Sequence, residues 1–218
     1  MSDWLTWQIV DSTFPTGAFA HSLGLESAWQ HGEVETLDSL RIFLDAAIQQ
    51  AGFATLPLVN AAYENADALE VLDVLADAFL VSAVGNRASR VQGRTLAATA
   101  ARIWPCVEIA AIKRRAEAVH AHVGPLSGAI FRTIGVPLPT AQRIVLFSAA
   151  RGVLTAAVRL GIVGSYEAQR LQHDCARWLD AIAARCRALT LDDLAQTAPI
   201  ADILQSAHDR LYSRLFQS

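Results

Sequence analysis

Apolar residues recur through this chain at intervals of three and four, and strict alternation over five or more residues is hard to find. From Thr36 onward, Leu37, Leu40, Leu44, Ala47, Ile48 and Ala51 fall on one side of a helix, with Asp38, Arg41, Asp45 and Gln49 on the other. That is the pattern of a helix with one buried face. The same spacing predicts helices over 68–84, 86–103, 107–121, 139–162, 165–188 and 199–214. Stops are expected at Gly85-Asn86, Pro105, Gly124-Pro125, Gly135 to Pro139 and Gly161 to Gly164, with Pro199 in a first turn. The expected class is all-α, a compact single-domain bundle of roughly eight to ten helices spanning 1–218.

One helix should lie at the centre of that bundle. Ile144 to Val158 is apolar nearly all round, interrupted by Arg151 and by small residues. Arg143, Arg151 and Arg159 are eight apart and form no single stripe, so one of them inside the core would need a carboxylate or carbonyl partner. With 53% hydrophobic residues, the chain has too much core material for a disordered protein. The longest uncharged run, Ala46 to Tyr63, is broken by Gln49, Gln50, Pro57 and Asn60, so no spanning helix is expected there. Nothing basic precedes an apolar stretch at the N-terminus, and the expected location is cytoplasmic, away from membranes. Cys106, Cys175 and Cys186 match neither a disulfide framework nor a zinc pattern and read as buried reduced thiols.

Charge is segregated. Residues 1–80 hold 12 acids and one base, Arg41, whereas residues 81–187 hold 15 bases and 5 acids. Between Asp77 and Glu108 there is no acid, yet Arg87, Arg90, Arg94 and Arg102 fall in that gap, where ion pairing within one helix cannot neutralise them. The acidic part either folds against the basic part or leaves it to an acidic partner. Arg87, Arg90 and Arg94 share a helix face, but no aromatic residue lies between Val81 and Ile103 to stack bases, and the pI is near 6.0. Nucleic acid is therefore not an expected partner.

Signatures of catalysis are sparse. There is no phosphate loop and no dinucleotide fingerprint. His120-Ala121-His122 is a close histidine pair without a companion cluster, and ordinary surface or capping roles are expected for it. In His173-Asp174-Cys175, neighbouring helical residues do not face one another, which argues against an activated thiol. Asp11 and Glu26 flank His21, a set suited to proton transfer but lacking a nucleophile. A metal-dependent enzyme built on His21, Glu26, His120 and His122 is the enzymatic alternative.

Two segments are richer than packing requires. Residues 11–26, DSTFPTGAFAHSLGLE, combine a proline, two glycines, four hydroxyl side chains and two phenylalanines. They read as a turn in which Pro15 fixes φ, Gly17 permits positive φ, and a serine or threonine caps the helix carrying Leu23, Leu25 and Trp29. The C-terminal HDRLYSRLFQS carries large apolar residues where tails are usually polar, which suggests docking on the chain itself or on a partner.

These two segments, with NRASRVQGR at 86–94, HVGPLSGAIFRTIGVP at 122–137 and RGVLTAAVRLGIVGSYEAQRL at 151–171, resemble the urease accessory protein UreF family, in the family's order and over nearly the whole chain. Ala20 stands where the family commonly has serine. The resemblance implies a cytosolic all-α scaffold with no catalytic activity of its own and no stably bound cofactor. It implies a homodimer that binds UreD (UreH in some organisms), recruits the GTPase UreG and engages apo-urease, with nickel carried by the complex. Phe14, Pro15, Gly17, His21 and Glu26 are then candidates for a UreD-facing or metal-passage region. Arg210, Leu211, Tyr212, Leu215 and Phe216 are candidate anchors of a tail, about 208–218, that a partner orders. Arg87, Arg90, Arg94, Arg151 and Arg159 are candidates for a GTPase-facing or dimer-facing surface, and a GTPase-activating arginine is the alternative function.

Overall fold

A computed structural model describes residues 3–218. Helix α1 (Asp3–Val10) leads through an irregular loop with one 3₁₀ turn (Ala18–Ala20) to α2 (Leu25–Gln30). Next, α3 (Leu37–Gln50) passes through a π turn (Ala51–Thr55) into α4 (Leu56–Glu64), so 37–64 is one continuous helix. There follow α5 (Leu69–Phe79), α6 (Ala83–Ile103), α7 (Val107–Ala118), α8 (Val123–Thr133), α9 (Leu138–Arg159), α10 (Ser165–Asp174), α11 (Ala176–Cys186) and α12 (Pro199–Ala207). A 3₁₀ turn (His208–Arg210) opens the tail. No strand occurs among the described residues, and the all-α expectation is borne out. Counting 37–64 as one, there are eleven helices among the described residues, slightly more than the sequence suggests.

Local chemistry sets the boundaries. Thr36 caps α3: its hydroxyl accepts from Ser39 N at 3.2 Å while Ser39 Oγ accepts from Thr36 N at 3.0 Å. Ser82 caps α6 through Gly85 N at 3.1 Å, so Gly85-Asn86 lie in a first turn rather than at a stop. The expected 107–121 helix ends at Ala118, because the Asp73 carboxylate takes the amides of His120 (2.8 Å) and His122 (2.6 Å) from the helical ladder. The expected 165–188 helix breaks at Cys175, whose thiol bonds Gln172 O at 3.2 Å, the carbonyl that Ala176 N would meet in an unbroken helix. The expected 199–214 helix ends at Ala207, where the tail turns to dock on α2. No side chain caps α2; Gly24 at φ +87° is its N-cap, so the expected serine or threonine cap is absent. Gly124-Pro125, read as a break, sits in the first turn of α8, where a proline's missing N–H costs nothing. Pro57 instead lies inside the continuous 37–64 helix just after the π turn, and the Phe53 carbonyl four residues before it accepts from Ala195 N at 3.2 Å.

Two apolar cores meet along α9. Leu25, Leu40, Leu44, Ile48, Leu146, Val153 and Leu171 belong to one, and Leu96, Ile109, Ile112, Leu126, Ile130, Ala141 and Ile144 to the other. The changeover falls between Ile144 and Leu146, so α9 holds the central position its all-round apolar sequence requires. Helices α4 and α8 approach so closely that a Cβ at Gly128 would overlap the Val59 carbonyl. The helices 37–64 and 138–159 are long and apolar enough to cross a membrane, but half of the most apolar stretch of each is buried within the fold. The two cores account for that apolarity. All three cysteines are free; Cys175 and Cys186 are buried as expected, whereas Cys106 is exposed at the start of α7.

Candidate partner-docking site

The two segments that sequence reading singles out are brought together. Glu26, on α2 and 1% exposed, places its carboxylate at the root of the tail. It accepts from Leu215 N at 2.5 Å, from Phe216 N at 3.1 Å and from His208 Nε2 at 2.9 Å. Three donors compensate the cost of burying the charge. Further along, Gln217 N donates to Ala20 O at 2.8 Å and Ser22 N to Ser218 O at 2.6 Å, while His21 Nδ1 meets Ser218 Oγ at 2.5 Å. Burial, with Arg87 and His208 nearby, lowers the His21 pKa, so the ring is neutral. Its Nε2 is buried with no hydrogen-bond partner among the described residues, as is His208 Nδ1.

Arg159 joins loop to tail. Its guanidinium lies 4.2 Å from the Phe19 ring centre and 4.1 Å from that of Phe216, and Nη1 donates to Phe19 O at 2.6 Å. A planar cation between two rings suits arginine and not lysine. Beside this sandwich a cavity of about 470 Å³ opens between the 12–19 loop and α9, with Phe216 on its wall. Phe14 in the loop stacks on Trp104 at 5.7 Å, Pro15 O accepts from Thr99 Oγ1 at 2.8 Å, and Gly17 takes φ +73° as expected. Phe19, Tyr212 and Leu215 remain exposed around the site.

The arginines divide between internal and outward roles. Arg90 is bound to Asp77, and Arg151, half-buried, donates to Val10 O, the carbonyl partner its position requires. Arg87 pairs with Asp209 at 2.8 Å. Arg94 is exposed and has no carboxylate partner among the described residues. Of the tail residues, Phe216 is buried and Leu211 partly so, while Arg210 and Tyr212 point outward.

Comparison with known proteins decides the family. The UreF family profile matches residues 34–176, well over half of the chain. The chain belongs to the UreF family. It is 34% identical over 219 residues to a urease accessory protein F of Oryza sativa subsp. indica, covering 98% of this chain and 84% of that one. It is 34% identical over 223 residues to the Arabidopsis thaliana protein of the same name, with 99% and 92% covered. It is 31% identical over 214 residues to urease accessory protein UreF of an Arthrobacter strain, with 97% and 95% covered.

In this UreF-family chain, a second polar cluster escaped sequence reading. His122 is fully buried, not a surface residue: Nε2 lies 3.0 Å from Asp77 Oδ1 and Nδ1 3.0 Å from Ser89 Oγ. Burial lowers the His122 pKa against the opposing pull of Asp77 and Asp73. The neutral ring then donates from Nε2 and accepts at Nδ1. Burial raises the Asp77 pKa, but hydrogen bonds from His122, Asn86 and Arg90 outweigh it and hold the carboxyl well below the usual range. Asp73 and Asp77 carried the available signal: two acids on the buried side of a predicted helix, directly before the acid-free stretch. His120 and His122 share Asp77, and no grouping of histidine, cysteine and carboxylate suited to a metal occurs among the described residues.

Proposed function

We propose that this chain is a non-catalytic scaffold in urease maturation, one that joins UreD (UreH) to the GTPase UreG at apo-urease while nickel travels as cargo of the complex. It acts in the cytoplasm as a homodimer and holds no cofactor of its own. The supporting observation is the docking of the 208–218 tail on the 11–26 loop, which gathers buried polar anchors under an exposed rim of Phe19, Tyr212 and Leu215. Exposed aromatic and aliphatic side chains around a well-packed anchor are what a protein partner uses. The names carried by relatives over nearly their full lengths, urease accessory protein F and urease accessory protein UreF, supply the process.

Size-exclusion chromatography with light scattering tests the reading on the chain alone, with UreD, and with UreD and UreG together. The expected result is a dimer that enters a UreD complex and then captures UreG. Tyr212→Ala combined with Phe216→Ala should abolish UreD capture; unchanged capture removes the tail from the interface. A monomer that ignores both proteins sinks the scaffold reading. The second reading, a GTPase-activating arginine, draws support from Arg94, an exposed cation with no carboxylate partner among the described residues. It requires faster GTP hydrolysis by UreG on adding this chain and loss of that effect in Arg94→Ala.

A further inference from the structure

The i, i+3, i+7 arginines of α6 are not equivalent. Arg90 is committed to Asp77, a neighbour from α5. Arg87 binds Asp209, which comes from the tail and also lies 3.6 Å from Arg214. Arg94, two turns beyond Arg87, is exposed. Between and beside them runs a groove of about 460 Å³ lined also by Leu80, Ala83, Asn86 and Val91. One end of this arginine row thus already holds a carboxylate donated by another segment, and the other end holds none.

We propose that the α6 groove is a docking site for an acidic segment of a partner protein, with Asp209 as its built-in competitor, so that filling the groove loosens the tail. The occupant's chemistry follows from charge complementarity: α6 has no acid of its own, Arg94 is the groove arginine without a carboxylate among the described residues, and the chain's own Asp209 occupies Arg87. The occupant needs two carboxylates about 10 Å apart, the rise over seven helical residues. Reaching Arg87 requires displacing Asp209, whose carboxylate is hydrogen-bonded to it at 2.8 Å and partly exposed. Asp209 adjoins His208, whose ring bonds Glu26 at 2.9 Å, so its displacement pulls at the first anchor of the tail. Linkage makes the effect reciprocal: a docked tail weakens the acidic ligand by the factor by which the ligand loosens the tail. The inference rests on the reading that the arginine face meets a partner protein.

The test titrates a fluorescent hexaglutamate peptide onto the full chain at low salt, with hexalysine as control, and follows amide exchange of 211–218. Arg94→Gln, which gives up no ion pair or side-chain hydrogen bond among the described residues, should weaken hexaglutamate about two- to fivefold with the melting temperature unchanged. Asp209→Asn should strengthen it by about the same factor, and saturating peptide should speed exchange in the tail. Wild-type affinity in both variants, or tail exchange indifferent to the peptide, overturns the proposal. So does tighter binding of a single-stranded oligonucleotide of equal charge through the same two residues, which would assign the groove to nucleic acid. A chain that ignores hexaglutamate yet captures UreD and UreG loses the groove and keeps the scaffold role; the converse result separates them the other way.

Discussion

Glu26 offers two carboxylate oxygens to three donors of the tail, and both its side chain and that of His208 are out of solvent. Glu26→Gln replaces one acceptor oxygen with an NH₂ that points at a donor. The expected loss is about 3 kcal/mol, typical of breaking a buried charged network, read from denaturant unfolding. A loss under about 1 kcal/mol would mean that the tail is not anchored here. The two aromatic residues of the tail make a sharper contrast. Phe216 is 6% exposed and stacked on Arg159, whereas Tyr212 is fully exposed. Phe216→Ala should loosen the tail by about 3 kcal/mol, seen as faster exchange at the amides of Leu215 and Phe216, and Tyr212→Ala should leave those amides alone. Equal exchange in the two variants would remove Phe216 as an anchor.

Among the elements, the α4–α8 contact depends on a side chain that is not there. Gly128 lets α8 lie against the Val59 carbonyl, and Gly128→Ala must push the helices apart, at a cost of about 2 kcal/mol. Calorimetry checks this, and a variant as stable as the parent would mean that the helices separate freely. This contact also marks the limit of sequence reading. Period alone located α3, α6 and α9, because each carries an apolar face long enough to count. It passed over α4 and α8, whose prolines look like breakers: Pro125 is harmless in a first turn, and Pro57 is tolerated within 37–64 by the π turn before it and by Ala195, which serves the Phe53 carbonyl. The 11–26 and 208–218 segments were legible as unusual, since Pro15, Gly17 and the apolar tail have no use in a plain helical hairpin. That they bind one another was not legible: the His208–Glu26 bond joins residues 182 apart, and no local pattern encodes it. The Asp77–His122 cluster stayed hidden for the same reason, being set by the loop in which Ala121 takes φ +69°.

At the scale of the molecule, the acidic first part folds against the basic middle, through Arg90 with Asp77 and Arg115 with Glu70 at 2.5 Å. Those pairs are partly exposed and contribute modestly to stability. Two of the buried histidines, His21 and His122, add a pH dependence near neutrality. His21 faces Arg87 and His208, His122 faces Asp77, Asp73 and Arg90, and burial lowers both pKa values from 6.5. Below about pH 6.5 the unfolded chain takes up protons at these two positions that the folded chain refuses, so stability is complete above that pH and declines as pH falls. Each histidine contributes a slope of up to about 1.4 kcal/mol per pH unit while its folded form stays neutral. Asp77, with its pKa lowered, adds a separate loss only below the usual carboxylate value of 3.8. Calorimetric unfolding near pH 5.5 in buffers of different ionisation heat counts the protons taken up. His122→Gln, which keeps a donor for Asp77 and an acceptor for Ser89, should reduce that count, and His21→Gln should reduce it independently. Uptake that is unchanged in both variants would show that these rings are already charged in the fold, and the neutral tautomer assigned to His122 would fall with it.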